Sequence, residues 1–151
     1  MPPVEIRTVG LDDPLAGLVL AGLAVEYEAR YGETDELSYA HAEEFEAPTG
    51  AFVVLVVGDE VVAGGGVRAH GDPGIAEVKR MWTHPDHRRR GHASTVLTAL
   101  EEVARNAGYT AVRLETGPAQ PEAQAMYAAR GYRRIPVYGR YPEALAYERP
   151  C

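Results

Sequence analysis

The chain reads EVKRMWTHPDHRRRGHA over residues 77–93, where a predicted β-strand runs through a short basic loop into the strongest predicted helix. From residue 93 onward, apolar residues recur every three or four positions, as in an amphipathic helix, and Gly108 can end it. A helix start exposes unpaired N–H groups and the positive end of the helix dipole, so this junction predicts a phosphate or pyrophosphate site. A solvated basic turn is the alternative interpretation of the same residues.

The rest of the chain shows strand and helix patterns on both sides of this junction. Alternating or short apolar runs predict strands over residues 4–9, 52–57, 61–68, 75–83, 110–115, 132–137 and 145–149. Helices are predicted over residues 15–30, capped by Asp12 or Asp13, and over 121–130, whereas 32–46 is interpreted as a short helix plus loops. This order predicts one mixed α/β domain over residues 1–151 with at least one parallel crossover.

Length and composition are those of a single soluble domain. The 151 residues are 46% apolar and 25% charged, and the longest aliphatic or aromatic run spans six residues, 52–57. A membrane helix needs about 20 apolar residues, so no membrane contact is predicted. The start of the chain lacks a basic segment followed by an apolar core, and Cys151 is the sole cysteine. These features predict a cytoplasmic protein without disulfides or a cysteine–zinc site.

Charge is distributed unevenly along the chain. Through Glu77 there are three Lys and Arg residues against 15 Asp and Glu, and from Val78 onward there are 12 against seven. The net charge of −7 argues against a general nucleic-acid-binding protein, because such proteins concentrate cationic surface against phosphates. A local basic cluster can still hold a phosphorylated cofactor, while the acidic part attracts a cationic partner. An uneven solvated surface is the alternative.

Two further features near the junction are assigned structural roles. His84, His87 and His92 are three and five residues apart, which is not a recognised metal-ligand spacing, and the adjacent arginines would repel a cation. No metal site is therefore predicted. The triplet Gly64-Gly65-Gly66 is more typical of a bulge or of close packing than of a phosphate loop, because no helix follows it.

Two segments of the chain resemble the GNAT acetyltransferase superfamily. Residues 88–93, RRRGHA, fit the family motif R/Q-x-x-G-x-G/A, and they follow a strand and open a helix as that motif does. Residues 114–132, LETGPAQPEAQAMYAARGY, are similar to the later family segment, in which a tyrosine follows a polar loop and precedes a Gly-aromatic pair. The resemblance covers residues 76–132 and extends to the 52–68 hairpin. It implies an α/β fold with a mixed, mostly antiparallel central sheet, splayed central strands and flanking helices.

By this resemblance the cosubstrate is acetyl-coenzyme A. Main-chain groups near Met81 and Thr83 would pair with the pantetheine amides, much as one strand pairs with another. Gln120 stands where many relatives carry an asparagine that contacts the pantetheine arm. The full set of cofactor-binding residues implied in this way is Met81, Trp82, Thr83, Arg88, Arg89, Arg90, Gly91, His92, Ala93, Ser94 and Gln120.

The implied reaction is direct transfer of the acetyl group to a primary amine in a ternary complex. Glu77 is the candidate base, because it lies four residues before Met81, where the family places its catalytic glutamate. An exposed carboxylate paired with Lys79 or Arg80 is the alternative for Glu77. Tyr127 resembles the tyrosine that protonates the departing thiolate, with packing against the sheet as the alternative.

The acceptor is predicted to be a small-molecule amine. The acidic half of the chain can attract a cation, and Tyr27, Tyr31, Tyr138 and Tyr141 can line its approach. Arg30 and Arg68 can bind a substrate carboxylate, or they can form structural ion pairs. Acetylation of a protein N-terminus or lysine, and a catalytically silent acyl-coenzyme A sensor, remain alternatives. A homodimer is an expectation from the family alone.

Overall fold

The structure, a computed structural model, describes residues 2–32 and 42–151. Within these residues, seven strands form one sheet in the order β1-β2-β3-β4-β5-β7-β6. Their bounds are β1 Val4–Val9, β2 Ala51–Val57, β3 Glu60–Ala69, β4 Ile75–Thr83, β5 Ala111–Thr116, β6 Arg133–Ile135 and β7 Leu145–Pro150. The pair β4 and β5 is parallel, and the other neighbouring pairs are antiparallel. The predicted mixed and mostly antiparallel α/β fold is confirmed.

Three α-helices flank the sheet in the described part of the chain: α1 Pro14–Tyr31, α2 His92–Asn106 and α3 Pro121–Ala129. Asp13 caps α1, since its Oδ1 accepts from the Leu15 N–H at 2.8 Å. Short 3₁₀ helices cover Ala42–Phe45 and Pro85–His87. No helix in the described ranges has the length and apolar character that crossing a membrane requires.

The two faces of the sheet are covered by different helices. Val19 and Leu23 of α1 pack with Phe52 and other side chains of β2 on one face. Leu97 and Leu100 of α2 pack into the core on the other face. β2 is buried on both faces, which explains its uninterrupted apolar run. This layering places the start of α2 and the end of α1 at the same edge of the central strands.

The central strands β4 and β5 separate halfway along their length. They pair only from Ile75 to Val78 opposite Ala111 to Leu114, so the later residues of both strands diverge. On its other side, β4 carries a bulge, where Arg80 has a φ of 62° and the register with β3 shifts between Gly64 and Gly66. The predicted splay of the central strands is therefore present.

The glycine triplet lies where β3 approaches its neighbours most closely. A side chain at Gly64 would overlap Val19 of α1, and one at Gly65 would overlap Met81 of β4. The predicted bulge and close packing both occur here. Small residues at this point let α1 approach the bulged part of β4, which brings the C-terminal half of α1 to the splay.

Most predicted elements have bounds within a residue or two of the observed ones. The largest difference is the predicted strand 132–137, which is limited to Arg133–Ile135. Pro136 follows directly and has no N–H group to continue the ladder. Of the predicted acidic segment 32–46, residues 33–41 lie outside the described residues, and the described part includes the 3₁₀ helix Ala42–Phe45.

Candidate active site

The divergence of β4 and β5 opens two adjoining cavities. We call the first, of about 640 Å³, the arginine cavity, because Arg88 and Arg89 line it together with parts of β4, α2 and α3. We call the second, of about 470 Å³, the tyrosine cavity, because Tyr27, Tyr31 and Tyr141 line it. The residues that line both cavities form a shared wall: Tyr27, Val78, Lys79, Arg80, Glu115, Thr116 and Gln120.

The arginine cavity reaches the first turn of α2. Gly91 caps this helix at a φ of 80°, a left-handed conformation that favours glycine, and among the described residues no side chain caps it. The first backbone bond runs from the Thr95 N–H to the Gly91 carbonyl, so the N–H groups of residues 92–94 have no intrahelical acceptor. With Arg88 and Arg89 beside them, these N–H groups form a donor set that fits a phosphate or pyrophosphate.

The structure gathers most of the sequence-assigned cofactor residues in this cavity. Those that line it are Met81, Trp82, Thr83, Arg88, Arg89, Gly91, His92, Ala93, Ser94 and Gln120. Arg90 is not among them, and its Nη1 lies 3.1 Å from the His87 Nδ1 instead. Burial lowers the pKa of His92 below its usual value, and the neighbouring His87 and Arg90 lower it further. The anion-binding end of the cavity is therefore cationic through its arginines, with His92 favoured in its neutral form.

Arg88 already has an anionic partner from α1. Its Nη2 donates to Oε1 of Glu26 at 2.7 Å, and its Nε donates to the carbonyl of Thr83 at 3.2 Å. Glu26 also lines the arginine cavity. A carboxylate thus occupies part of the space in which the sequence predicts a phosphate, and a bound polyanion would compete with it for Arg88.

Glu60, His84 and His87 form a cluster at the basic loop, and His87 also lines the arginine cavity. Their potential ligand atoms lie within 4.8 Å of one another, a grouping that sequence spacing did not predict because Glu60 comes from β3. The Nδ1 of His84 accepts from the Asp86 N–H, and the Nδ1 of His87 faces the Arg90 guanidinium, which can only donate. The His87 Nε2 lies 2.9 Å from Glu60 Oε1, within hydrogen-bond distance, whereas the His84 Nε2 lies 3.8 Å from Glu60 Oε2. The absence of a metal site stays a prediction from the sequence.

Tyr127 belongs both to the lining of the arginine cavity and to an aromatic cluster. It projects from α3, lines the cavity and is only 4% exposed. Its ring packs near Tyr132 and Tyr147, with centroid distances of 5.8 and 5.7 Å. Burial raises the pKa of its phenol above the usual value, and Tyr147 raises it further, so the hydroxyl keeps its proton at neutral pH. Tyr127 is thus a packed side chain whose protonated phenol belongs to the cavity lining.

Glu77 is held in a buried network beside the splay. It is 4% exposed and so is not the exposed carboxylate of the alternative interpretation. Its Oε1 accepts from Arg68 Nη2 at 3.1 Å, and its Oε2 accepts from the Tyr138 hydroxyl at 2.9 Å. Arg68 also pairs with Glu44 at 2.5 Å. Glu77, Arg68 and Tyr138 line neither cavity, and Arg68 has the structural ion pairs that the sequence left as an alternative.

Arg30 also has structural partners. Its guanidinium donates to the carbonyl of Ala119 and, at 2.5 Å, to Oε1 of Glu122 on α3. It lies 3.5 Å from Glu26 one turn earlier on α1. Arg30 therefore ties the end of α1 to the loop between β5 and α3, and it lines neither cavity.

Tyr31 and Gln120 form a second tie between the same two elements. The Tyr31 hydroxyl donates to Gln120 Oε1 at 3.1 Å, and the same oxygen accepts from the Thr116 hydroxyl and the Gly117 N–H, each at 3.0 Å. Gln120 thus organises the loop after β5 while lining both cavities, and Tyr31 lines the tyrosine cavity. These contacts fix the position of α1 over the shared wall.

Sequence reasoning gave no role to three charged residues of the shared wall: Lys79, Arg80 and Glu115. Glu115 belongs to the segment that carries the family resemblance, but periodicity shows only that it lies on β5. The available signal was the end of a parallel strand, because the carboxyl ends of such strands are where ligands bind in open sheets. Only the divergence of β4 from β5 makes that end a cavity wall.

Comparison with known proteins finds acetyltransferases among the relatives of this chain. The family model described as Acetyltransferase (GNAT) family matches residues 20–132. An IAA acetyltransferase of Azospirillum brasilense is 33% identical over 102 residues, covering 66% of this chain and 67% of its own length.

Two solved structures share the fold over nearly the whole chain. An acetyltransferase from Streptococcus agalactiae superposes with a TM-score of 0.80 at 16% identity, covering 98% of each chain. The PaiA N-acetyltransferase of Thermoplasma acidophilum, solved in complex with coenzyme A, superposes with a TM-score of 0.73 at 15% identity, covering 99% of each chain. With the splayed sheet, the uncapped start of α2 and the family-model match, the chain belongs to the GNAT family of acetyltransferases.

Proposed function

We propose that this protein is an N-acetyltransferase that moves the acetyl group of acetyl-coenzyme A to a primary amine of a small molecule. The observation that carries the proposal is the meeting of two cavities at the ends of β4 and β5. One cavity has the donors for a polyphosphate, and the other combines three tyrosines and three apolar side chains with six polar or charged ones. A thioester and an amine delivered from opposite sides would react at the shared wall without a covalent enzyme intermediate.

The arginine cavity is the proposed site of the cosubstrate. The N–H groups at the start of α2, with Arg88 and Arg89, would hold the pyrophosphate. The ladder between β4 and β5 ends at Val78, and main-chain groups of Met81 to Thr83, which line this cavity, would pair with the pantetheine amides. Support comes from the Thermoplasma relative of the same fold, which was solved with coenzyme A.

The tyrosine cavity is the proposed site of the acceptor. Its volume of about 470 Å³, between α1 and residues 141–144, suits a small molecule. The Azospirillum relative, which is named for IAA, also supports a small-molecule acceptor. A protein acceptor and a silent acyl-coenzyme A sensor are the competing outcomes of the test below.

The chemistry requires a base for the ammonium and an acid for the thiolate. A free alkylamine has a pKa of about 10.4, so at neutral pH it must lose a proton before it attacks. Tyr127, whose pKa is raised by burial, is the proposed proton donor to sulfur. Glu77 is the base that the resemblance implies, and since it lines neither cavity it would have to act through a water molecule.

Two measurements test this function. Calorimetry with coenzyme A and acetyl-coenzyme A should show binding, and thiol release from acetyl-coenzyme A should depend on an added amine. The amine panel comprises amino acids, aralkylamines, polyamines, aminoglycosides and lysine-containing peptides. Turnover with peptides alone would contradict the small-molecule acceptor, and binding without turnover on any amine would favour the sensor. Absence of binding at millimolar coenzyme A would overturn the proposal.

A further inference from the structure

The two edges of the sheet differ in length and in how they end. One edge strand, β6, has three residues and is followed directly by Pro136. The other edge strand, β1, has six residues without a proline, and within the described residues it pairs with β2 alone. An open strand of this length offers a row of backbone donors and acceptors to another strand. In the described part of the chain, β1 is therefore the edge at which the sheet can be extended.

Alternate residues of β1 direct their backbone groups to the open side. The carbonyl of Pro3 accepts from the Gly58 N–H at 2.9 Å, and the register with β2 continues from there along β1 without a bulge. In an antiparallel ladder, the backbone groups of successive residues point to opposite sides of the strand. The odd-numbered residues of β1 therefore bond to β2, and the N–H and C=O groups of Val4, Ile6 and Thr8 point outward.

We infer that β1 joins two copies of this protein into a dimer by pairing antiparallel with β1 of the second copy. A twofold axis perpendicular to the sheet would pass beside Ile6, so that Ile6 of each copy lies opposite the other. Val4 then lies opposite Thr8 of the second copy, and all three outward-facing residues exchange backbone hydrogen bonds. Such a contact uses the same surface on both copies and closes at two chains.

The side chains of β1 are complementary to their own copy in this register. Glu5 and Arg7 project from the same face of β1, and Arg7 Nη2 lies 3.1 Å from Glu5 Oε2 in the single chain. In the dimer, Glu5 lies opposite Arg7 of the second copy, and the twofold axis repeats this pair. These are non-hydrogen-bonded positions, where opposite side chains approach most closely. Charges that usually keep an edge strand from pairing therefore attract one another in this contact.

The same charges disfavour the neighbouring registers. A shift by one residue would place the outward-facing backbone groups of one copy opposite groups that point away from it. A shift by two residues in one direction places Glu5 opposite Glu5 of the second copy, and in the other direction it places Arg7 opposite Arg7. Like charges directly opposite each other destabilise a strand pair. Backbone hydrogen bonds and charge together therefore select the register that is centred on Ile6.

Val4 adds an apolar contribution to the contact. Its side chain is 58% exposed in the single chain. Thr8, on the same face of β1, lines a third cavity of about 640 Å³ together with Val103 and Ala107 of the α2 end. In the dimer, Val4 of the second copy lies opposite Thr8 and next to this cavity. The pairing thus removes from water an apolar side chain that the single chain leaves exposed.

The contact is separate from the candidate active site. No residue of β1 lines the arginine cavity or the tyrosine cavity. β1 lies three strands away from β4, which is about 14 Å at the usual spacing of strands. The inference therefore does not rest on the proposed function, and changes in β1 should leave thiol release from acetyl-coenzyme A as it is in the unchanged protein.

Charge reversal tests the contact, with sedimentation velocity from micromolar to millimolar concentration as the measurement. We expect the unchanged protein to form a dimer in this range. Glu5→Arg and Arg7→Glu each turn both cross-strand pairs into like charges, so each should raise the dimer Kd by at least about tenfold. Glu102→Arg changes the net charge as Glu5→Arg does, but at an exposed position on α2. This control should keep the dimer Kd within about twofold.

Mixing the two single variants separates direct contact from an effect on folding. In a mixed dimer, the two arginines of the Glu5→Arg chain lie opposite the two glutamates of the Arg7→Glu chain. An equimolar mixture should therefore dimerise about as tightly as the unchanged protein, and so should the double variant that carries both substitutions. Damage to the fold by either substitution would not be repaired by mixing.

Amide hydrogen exchange, followed by NMR, tests the register. The amides of Val4, Ile6 and Thr8 should exchange more slowly at concentrations where the dimer forms. Those of Glu5 and Arg7, which bond to β2, should be equally protected at low and high concentration. A protein that stays monomeric at millimolar concentration overturns the inference, and so does a dimer whose Kd is insensitive to both reversals or is not restored by mixing. None of these results affects the proposed function, which coenzyme A binding and thiol release test separately.

Discussion

The chain builds the arginine cavity and the tyrosine cavity in different ways. Much of the arginine cavity comes from one continuous stretch, residues 78–94, and its anion donors are backbone N–H groups and neighbouring arginines. The tyrosine cavity combines α1, β4, the end of β5 and residues 141–144, which are far apart in sequence. A site built from adjacent residues leaves a motif, whereas a site built from distant side chains does not. The sequence therefore predicts the residues of the arginine cavity better than those of the tyrosine cavity.

The largest expected effect tests the proton donor that we propose for the arginine cavity. Tyr127→Phe removes the proposed proton donor but keeps the ring that packs on Tyr147. We expect kcat to fall by about 100-fold with little change in the Kd for coenzyme A, because only the departing thiolate needs the proton. Steady-state thiol release and calorimetry measure the two quantities.

Tyr147→Phe is the matched control for this substitution. It removes a hydroxyl from the same aromatic cluster, but Tyr147 lines neither cavity. Its kcat should stay within about twofold of the unchanged protein. Equal losses of kcat in both variants would show that the Tyr127 side chain acts in packing alone. The arginine cavity would then have no proposed proton donor.

A smaller effect tests the anion-binding end. Arg89 lines the arginine cavity, whereas the adjacent Arg90 contacts His87 and does not line it. Arg89→Ala should weaken coenzyme A binding by about tenfold, which corresponds to about 1.4 kcal/mol, through loss of a charge-assisted hydrogen bond. Arg90→Ala removes the same charge and should weaken binding by about twofold. Calorimetry at two salt concentrations measures the Kd for coenzyme A of both variants. Equal losses of affinity would mean that the net charge of the loop, and not the position of each arginine, determines binding.

The smallest expected effect has the opposite sign. Glu26 is the carboxylate that pairs with Arg88 inside the arginine cavity. Glu26→Gln should strengthen coenzyme A binding by about threefold, because it removes a charge that repels phosphates and competes for Arg88. Glu28 is exposed and lies two residues farther along the same helix. Glu28→Gln changes the net charge equally and should leave the affinity for coenzyme A unchanged. Weaker binding in Glu26→Gln would show instead that Glu26 orients Arg88 for the cosubstrate.

Much of the fold was predictable because its elements have strong local signals. The apolar run of β2, the helical spacing in α2 and Asp13 as the cap of α1 each depend on nearby residues. The predicted bounds of an element differ from the observed ones where a single residue interrupts the pattern, as Pro136 does at the end of β6. The splay of β4 from β5 was expected only through the family resemblance, since periodicity does not reveal where a strand pair separates.

The residues of the candidate site also differ in how well the sequence predicted them. The position of Arg88, Arg89 and Gly91 at the start of α2 was predictable, because a basic loop directly before a helix is a local feature of the sequence. Arg30 and Arg68 were ambiguous in sequence, since an arginine in an acidic region can bind a ligand or a nearby glutamate. Their partners Glu122, Glu44 and Glu77 come from other elements, and only folding brings them together.

By itself, the order of residues determined the class of protein and the anion-binding junction at α2. Both follow from hydrogen-bonding needs and periodicities that act over a few neighbouring positions. The tertiary structure alone decided which carboxylate of the central strands lines the two cavities. Glu77 and Glu115 both lie on central strands, but the first pairs with Arg68 and Tyr138 while the second lines both cavities. Exposure and partners depend on which distant segments pack against a strand, and that information is not local.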